Sequence, residues 1–137
     1  MDFDRLKHSY YVGKKMFEIG KDLKLKPEQL EELFLLGFNH DIGYEFSKSG
    51  IDHNIIGGIM LKNNNYKYWK EVYYHGEITD EYQSLYLTTL NKADMQIDKY
   101  GNDVGYIKRL EDIKERYGEK SDIYKKCVLL VDKISKY

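Results

Sequence analysis

The 137-residue sequence is short of both cysteine and proline, with one residue of each, Cys127 and Pro27. A single thiol forms no internal disulfide, which excludes a disulfide-stapled secreted scaffold and favours a reducing cytoplasm. Because proline breaks helices, its scarcity leaves long windows free to be helical. We expect Cys127 to be a small apolar core residue rather than a reactive thiol.

The sequence also lacks an excess of charge of one sign and long apolar runs. Lys and Arg number 22 and Asp and Glu number 23, so the formal net charge is −1, which disfavours unspecific nucleic-acid coating and docking on anionic membranes. The first residues are acidic where a signal peptide has bases, and no apolar stretch approaches the ~18 residues of a membrane span. We therefore expect a cytoplasmic protein with neither a nucleic-acid nor a membrane partner. At a usual domain size of about 100–200 residues, we expect one domain over 1–137.

Helical periodicity is present along the whole chain, whereas alternating strand patterns bounded by turns are missing. The spacing predicts an all-α bundle of six to seven helices, with these approximate ranges: 2–23, 27–43, 51–63, 66–75, 80–98, 104–117 and 120–135. In the first helix, one face carries or closely flanks four apolar residues, Leu6, Tyr10, Phe17 and Ile19, with the small residues Gly13 and Gly20 beside it. Either Asp2 or Asp4 is the predicted N-cap of that helix.

The four histidines and two aspartates carry the chemical signal. His40 and Asp41 are adjacent at the end of an apolar helix over 33–43, which places two metal-ligand residue types at a buried rim. Burying an unpaired carboxylate is costly, and a bound cation offsets that cost. Asp94 lies on another apolar helix, and the other histidines are His8, His53 and His75.

Five stretches follow one another in a recognisable order: Arg-Leu-Lys-His-Ser at 5–9, His-Asp-Ile-Gly at 40–43, Asp-His-Asn-Ile-Ile-Gly-Gly at 52–58, Tyr-His-Gly at 74–76 and Lys-Ala-Asp at 92–94. Together they resemble the HD-domain superfamily of metal-dependent phosphohydrolases, over about residues 5–98. The resemblance implies an HD-type helical bundle and a metal-dependent phosphohydrolase enzyme. A helical bundle with unrelated histidines is the alternative.

The resemblance also implies the role of each residue. His8, His40, Asp41 and Asp94 match the four ligands of the superfamily's shared metal site. His53 and His75 match the additional histidines of two-metal members, in which Asp41 would bridge the ions and act with both histidines as a catalytic group. The implied cofactor is one or two divalent transition-metal ions, with Fe, Mn, Co, Ni and Zn left open. Such ions offset the negative charge of a phosphate ester and lower the pKa of the attacking water.

The expected substrate is a small phosphorylated compound. The pattern looks most like the subgroup that splits dinucleoside polyphosphates symmetrically, so a nucleotide or dinucleoside polyphosphate is expected. Two departures affect phosphate binding: Tyr44 stands where many relatives have lysine, and Glu77 follows Gly76 where relatives have a hydroxyl residue. A nucleoside monophosphate phosphatase and a non-catalytic metal- or nucleotide-binding sensor remain alternatives.

Basic residues near the predicted ligands are candidates for binding substrate phosphate. Arg5 is the first choice, because it precedes His8 by three residues and shares its helix face. Lys48 and Lys92 follow, and Arg109 is a further candidate. The Gly57-Gly58 pair lacks the strand-loop-helix context of a phosphate cradle and predicts a close helix crossing instead.

Overall fold

The computed structural model describes residues 3–136, and that part of the chain contains seven α-helices and no strand. Their bounds are α1 Phe3–Asp22, α2 Pro27–Asn39, α3 His53–Asn63, α4 Trp69–Tyr74, α5 Leu85–Asp94, α6 Gly105–Tyr117 and α7 Asp122–Ile134. A 3-10 turn over Ile42–Glu45 separates α2 from α3. The predicted all-α bundle is confirmed. None of the described helices combines the length and apolarity needed to cross a bilayer.

The predicted bounds of three helices are wrong by three residues or more, and one of these helices, α4, begins at Trp69 rather than at 66. α2 ends at Asn39 rather than Gly43, because the ring of His40 hydrogen-bonds the carbonyl of Gly37 in the last turn. α5 runs over Leu85–Asp94 rather than 80–98. The helix begins there because the Ser84 hydroxyl accepts a hydrogen bond from the Leu87 N–H and caps it.

The structure excludes one of the two predicted N-caps of α1 and shows which of its residues are buried. Asp2 lies outside the described residues, and Asp4 lies within the first turn of the helix rather than before it. Leu6 and Tyr10 are 41% and 44% exposed, so the prediction is wrong for these two residues, whereas Ile19 packs against the apolar core. The fully buried residues of α1 are instead Ser9, Val12 and Met16.

A pair of glycines explains why α1 turns this face inward. A Cβ atom added to Gly37 of α2 would lie only 2.5 Å from the Cα of Gly13. The two helices therefore pack with their backbones almost in contact, which only residues without side chains permit. The small residues of α1, rather than its largest apolar ones, determine which face meets α2.

Two apolar clusters hold the bundle together. The larger joins α1, α2, α4, α5 and the residues just after α5; its buried members are Val12, Met16, Leu33, Leu36, Val72, Leu90, Ala93 and Ile97. The smaller packs α6 and α7 against the end of α5 through Met95, Ile113, Leu130 and Ile134. Cys127 packs half-buried beside the smaller cluster, where burial raises the pKa of its thiol. A raised pKa lowers the thiolate fraction, as expected for a structural cysteine.

Candidate metal centre

The six predicted ligands lie where several helices end or begin. His40 and Asp41 directly follow α2, and His75 directly follows α4. Asp94 is the last residue of α5, whereas His53 is the first residue of α3. The carboxyl ends of three helices therefore meet here, and their partial negative charge favours a cation. His8 completes the group from within α1.

All four histidine rings are held in the same way, by a hydrogen bond from Nδ1 to a backbone carbonyl. The pairs are His8 to Asp98 at 3.0 Å, His40 to Gly37 at 2.6 Å, His53 to Gly50 at 2.8 Å and His75 to Val72 at 2.6 Å. A carbonyl only accepts, so Nδ1 carries the proton in each ring. The Nε2 atom of each neutral ring is therefore left with a lone pair that can bind a metal ion.

The carboxylate of Asp41 lies between these Nε2 atoms. Its Oδ2 atom is 3.3 Å from Nε2 of His40 and 3.7 Å from Nε2 of His8. Its Oδ1 atom is 3.3 Å from Nε2 of His53 and 3.6 Å from Nε2 of His75. Each oxygen of one buried carboxylate thus faces a different pair of histidines.

Asp94 completes the first group of potential ligands. Its Oδ1 atom lies 2.8 Å from Nε2 of His8 and 3.3 Å from Nε2 of His40. Two ligands bound at about 2.1 Å to one ion are about 3.0–3.4 Å apart in octahedral or tetrahedral geometry, close to the separations observed. The Nε2 atom of His40 is also buried without a hydrogen-bond partner in the described part of the chain. These residues therefore fit divalent transition-metal ions.

The local electrostatics favour the protonation state that metal binding requires at Asp41, Asp94 and His75, but not at His40. Burial, the largest single effect, raises the pKa of both aspartates, but the neighbouring histidines, His40 foremost, together outweigh it, so the pKa values of Asp41 and Asp94 lie well below the usual range. Burial lowers the pKa of His40, but the Asp41 and Asp94 carboxylates together raise it by more, so the net shift of this pKa is upward. Burial lowers the pKa of His75 and keeps that ring neutral. A bound cation would replace the proton that the two carboxylates otherwise attract to His40.

Glycines bring the 3-10 turn and α4 close to α3. A Cβ on Gly43 would collide with the backbone carbonyl of His53, and the N atom of Gly43 is 3.0 Å from the Cβ position of Gly57. A Cβ on Gly58 would lie 2.5 Å from the Cβ of Tyr73 in α4. The Gly57-Gly58 pair is therefore a close helix crossing, as expected. The sequence prediction read Gly43 as a helix stop and missed its contact with His53.

The segment after His75 is tied to three other elements. The N–H of Gly76 donates to the side-chain oxygen of Asn91 at 2.9 Å. Glu77 accepts a hydrogen bond from Asn54 at 3.1 Å and pairs with Lys126 at 2.8 Å. Glu77 thus joins α3 and α7.

The predicted phosphate-binding residues lie in different surroundings. The guanidinium of Arg5 lies over the ring of Tyr44, with 3.5 Å between its Cζ and the ring centroid. Lys48 is exposed on the loop before α3. Lys92 is half-buried two residues before Asp94, a spacing that places two side chains on different faces of a helix. The Nε atom of Arg109 donates to the backbone carbonyl of Asp94 at 3.3 Å.

Comparison with known proteins identifies one family. The family described as the HD domain matches residues 5–137, a range that includes all six residues of the candidate centre. No curated protein and no solved structure matches the chain.

Proposed function

The chain belongs to the HD-domain family, and we propose that it hydrolyses a phosphate ester or anhydride of a nucleotide or dinucleoside polyphosphate. Members of this family are in general metal-dependent phosphohydrolases, and the chain retains a buried His/Asp cluster that can hold metal ions. The reaction class follows from the family and this cluster, and the substrate class is our inference.

The observation that supports this proposal most is the orientation of the Asp41 carboxylate. One oxygen faces His8 and His40, and the other faces His53 and His75. Structural burial alone would not require four histidine Nε2 atoms around one carboxylate. A carboxylate that bridges two cations does require this arrangement, which is the basis of two-metal hydrolysis.

Each residue of the cluster has a distinct part in this proposal. His8, His40, Asp41 and Asp94 would hold one ion, and His53 and His75 would hold the second together with Asp41. The bound ions would neutralise phosphoryl charge and lower the pKa of the attacking water. The backbone carbonyls that accept from the histidine Nδ1 atoms fix the tautomer and the ring orientation beforehand. Little reorganisation is then needed when substrate binds.

The charge of the chain favours a small anionic substrate bound by local groups. The formal net charge is −1, so no long-range positive field attracts a polyphosphate. The attraction must come from the bound ions and from nearby guanidinium groups. Arg5 above Tyr44 and Arg109 beside Asp94 are the arginines that the structure brings closest to this role.

Metal analysis and a phosphate-release screen test the proposal together. The protein is purified without chelator, its metal content is measured, and nucleoside monophosphates, nucleoside triphosphates and dinucleoside polyphosphates are offered as substrates. Asp41→Asn is the matched control, since the amide keeps the volume but loses the charge. We expect metal and hydrolysis in the native protein and neither in the variant. Equal hydrolysis by both proteins would refute the proposal, and bound metal without hydrolysis of any compound would favour a sensor.

A further inference from the structure

Tyr44 is the middle layer of a three-layer stack at the candidate metal centre. Its ring lies 4.0 Å from the ring of His53, centroid to centroid, with an angle of 15° between the planes. The Cζ atom of Arg5 lies 3.5 Å from the centroid of the same tyrosine ring. Two flat groups this close cannot share one face of a ring, so Arg5 and His53 cover opposite faces of Tyr44.

His53 is the histidine of the centre that most needs such support. Its side chain is 20% exposed, whereas those of His40 and His75 are 0% and 2% exposed. The hydrogen bond to Gly50 holds one edge of the ring but leaves rotation about that edge. Stacking on a second ring removes this freedom, because a tilt would break the parallel contact.

The same stack places a cation beside the second metal position. Arg5 lies on α1, one turn before the ligand His8. A guanidinium that stacks on an aromatic ring uses its flat face, while its N–H donors lie in the plane and suit a phosphate. Tyr44 itself carries no charge. Arg5, held by Tyr44, provides a positive charge close to that position.

We propose that Tyr44 is a positioning residue that orients His53 for the second metal ion and holds Arg5 as the phosphate-binding charge. This inference rests on the proposed function in one respect, namely that Asp41, His53 and His75 hold a second ion.

Metal titration tests the first half of the proposal. Metal-free native protein, Tyr44→Phe and Tyr44→Leu are titrated with Mn²⁺, and bound ions per chain are measured by equilibrium dialysis. Removal of the ring in Tyr44→Leu should weaken binding of the second ion about tenfold or more and leave binding of the first ion unchanged. In Tyr44→Phe, the affinity for the second ion should stay within about twofold of the native value. A leucine variant that binds the second ion as tightly as the native protein would overturn the proposal. So would equal weakening by Tyr44→Phe and Tyr44→Leu.

Binding of inorganic phosphate to the Mn²⁺-loaded protein tests the second half. Arg5→Met should weaken phosphate binding about tenfold, because it removes a charge-assisted hydrogen bond. Lys7→Met is the matched control, since it removes the same charge from an exposed position on the same helix. Equal weakening by both variants, or no weakening by Arg5→Met, would contradict the proposal.

These measurements distinguish the failure of the stack from the failure of the proposed function. Neither titration requires turnover, so a protein that hydrolyses nothing still reveals whether Tyr44 and Arg5 act as described. Arg5→Met also keeps the proposal testable should Tyr44→Leu fail to fold, which circular dichroism would show, because Arg5 lies at the edge of the bundle.

Discussion

The Nε2 atoms of His53 and His75 lie 3.2 Å apart and face one another. Both rings use their Nδ1 proton for a backbone carbonyl, so two lone pairs meet unless a cation lies between them. Burial lowers the pKa of His75 and disfavours a second proton on that ring. A metal ion shared with Asp41 would relieve this repulsion.

Loss of these two histidines should therefore separate the two metal positions. The variant His53→Ala with His75→Ala keeps His8, His40, Asp41 and Asp94, so we expect one bound ion per chain and a steep loss of hydrolysis. Metal content by elemental analysis, measured beside activity, checks this. Loss of all metal, or retention of both ions, would contradict a two-position centre.

Changes at His40 and Asp41 should remove both metal ions rather than one. Asp41 contacts the ring nitrogens of both histidine pairs, and His40 is fully buried. We expect His40→Ala and Asp41→Ala to lose bound metal and hydrolysis together. Lys48→Ala, at an exposed loop position, is the control and should keep the native metal content. Native stoichiometry and turnover in His40→Ala would show that the metal lies elsewhere.

Gly43 should tolerate no side chain, although it is not itself a ligand. A methyl group there would collide with the backbone carbonyl of His53. We expect Gly43→Ala to lower the free energy of unfolding by about 1–3 kcal/mol, as overpacking does. Because the displaced residue is His53, binding of the second ion should weaken more than binding of the first. Chemical denaturation and Mn²⁺ titration measure the two effects, and a native-like result in both would refute the contact.

The metal-free protein should depend on pH through His40. The carboxylates of Asp41 and Asp94 raise the pKa of His40 above its ordinary value of 6.5, despite the opposing effect of burial. A basic group whose pKa is higher in the folded protein than in the unfolded chain stabilises the fold fully at pH values below its unfolded-state pKa. That stabilisation is lost as the pH rises through the folded-state pKa. With chelator present, chemical denaturation should therefore give the native protein a higher free energy of unfolding than His40→Gln. This difference should be larger at about pH 5.5 than at about pH 9. A stability difference that is constant with pH would contradict this coupling.

Local sequence signals predicted the helices well and some of their ends poorly. Proline scarcity and apolar spacing act within a few residues, so the all-α class followed from them directly. The end of α2 depends on a hydrogen bond between His40 and Gly37, which periodicity does not reveal. The start of α5 follows a local rule that was available, since Ser84 is a favourable N-cap residue.

The HD-family assignment followed from the order of five short stretches, and the family comparison confirms it. This assignment needed no structure, because the residue types that mark the family, such as His8 and Asp94 here, occur in the same order along the chain. Their role as metal ligands, and the dinucleoside polyphosphate as substrate, stay predictions. The substrate depends on the groups that surround the ions, and these are less regular along the chain.

The sequence by itself determined the helical class, the family and the six ligand-type residues, because these depend on local spacing and residue chemistry. Only the tertiary structure decided which oxygen of Asp41 faces which histidines, and that Tyr44 lies between Arg5 and His53. These relationships join residues on different helices, and their geometry depends on how closely the helices approach. That approach is governed by contacts such as the one between Gly13 and Gly37, which no single helix contains.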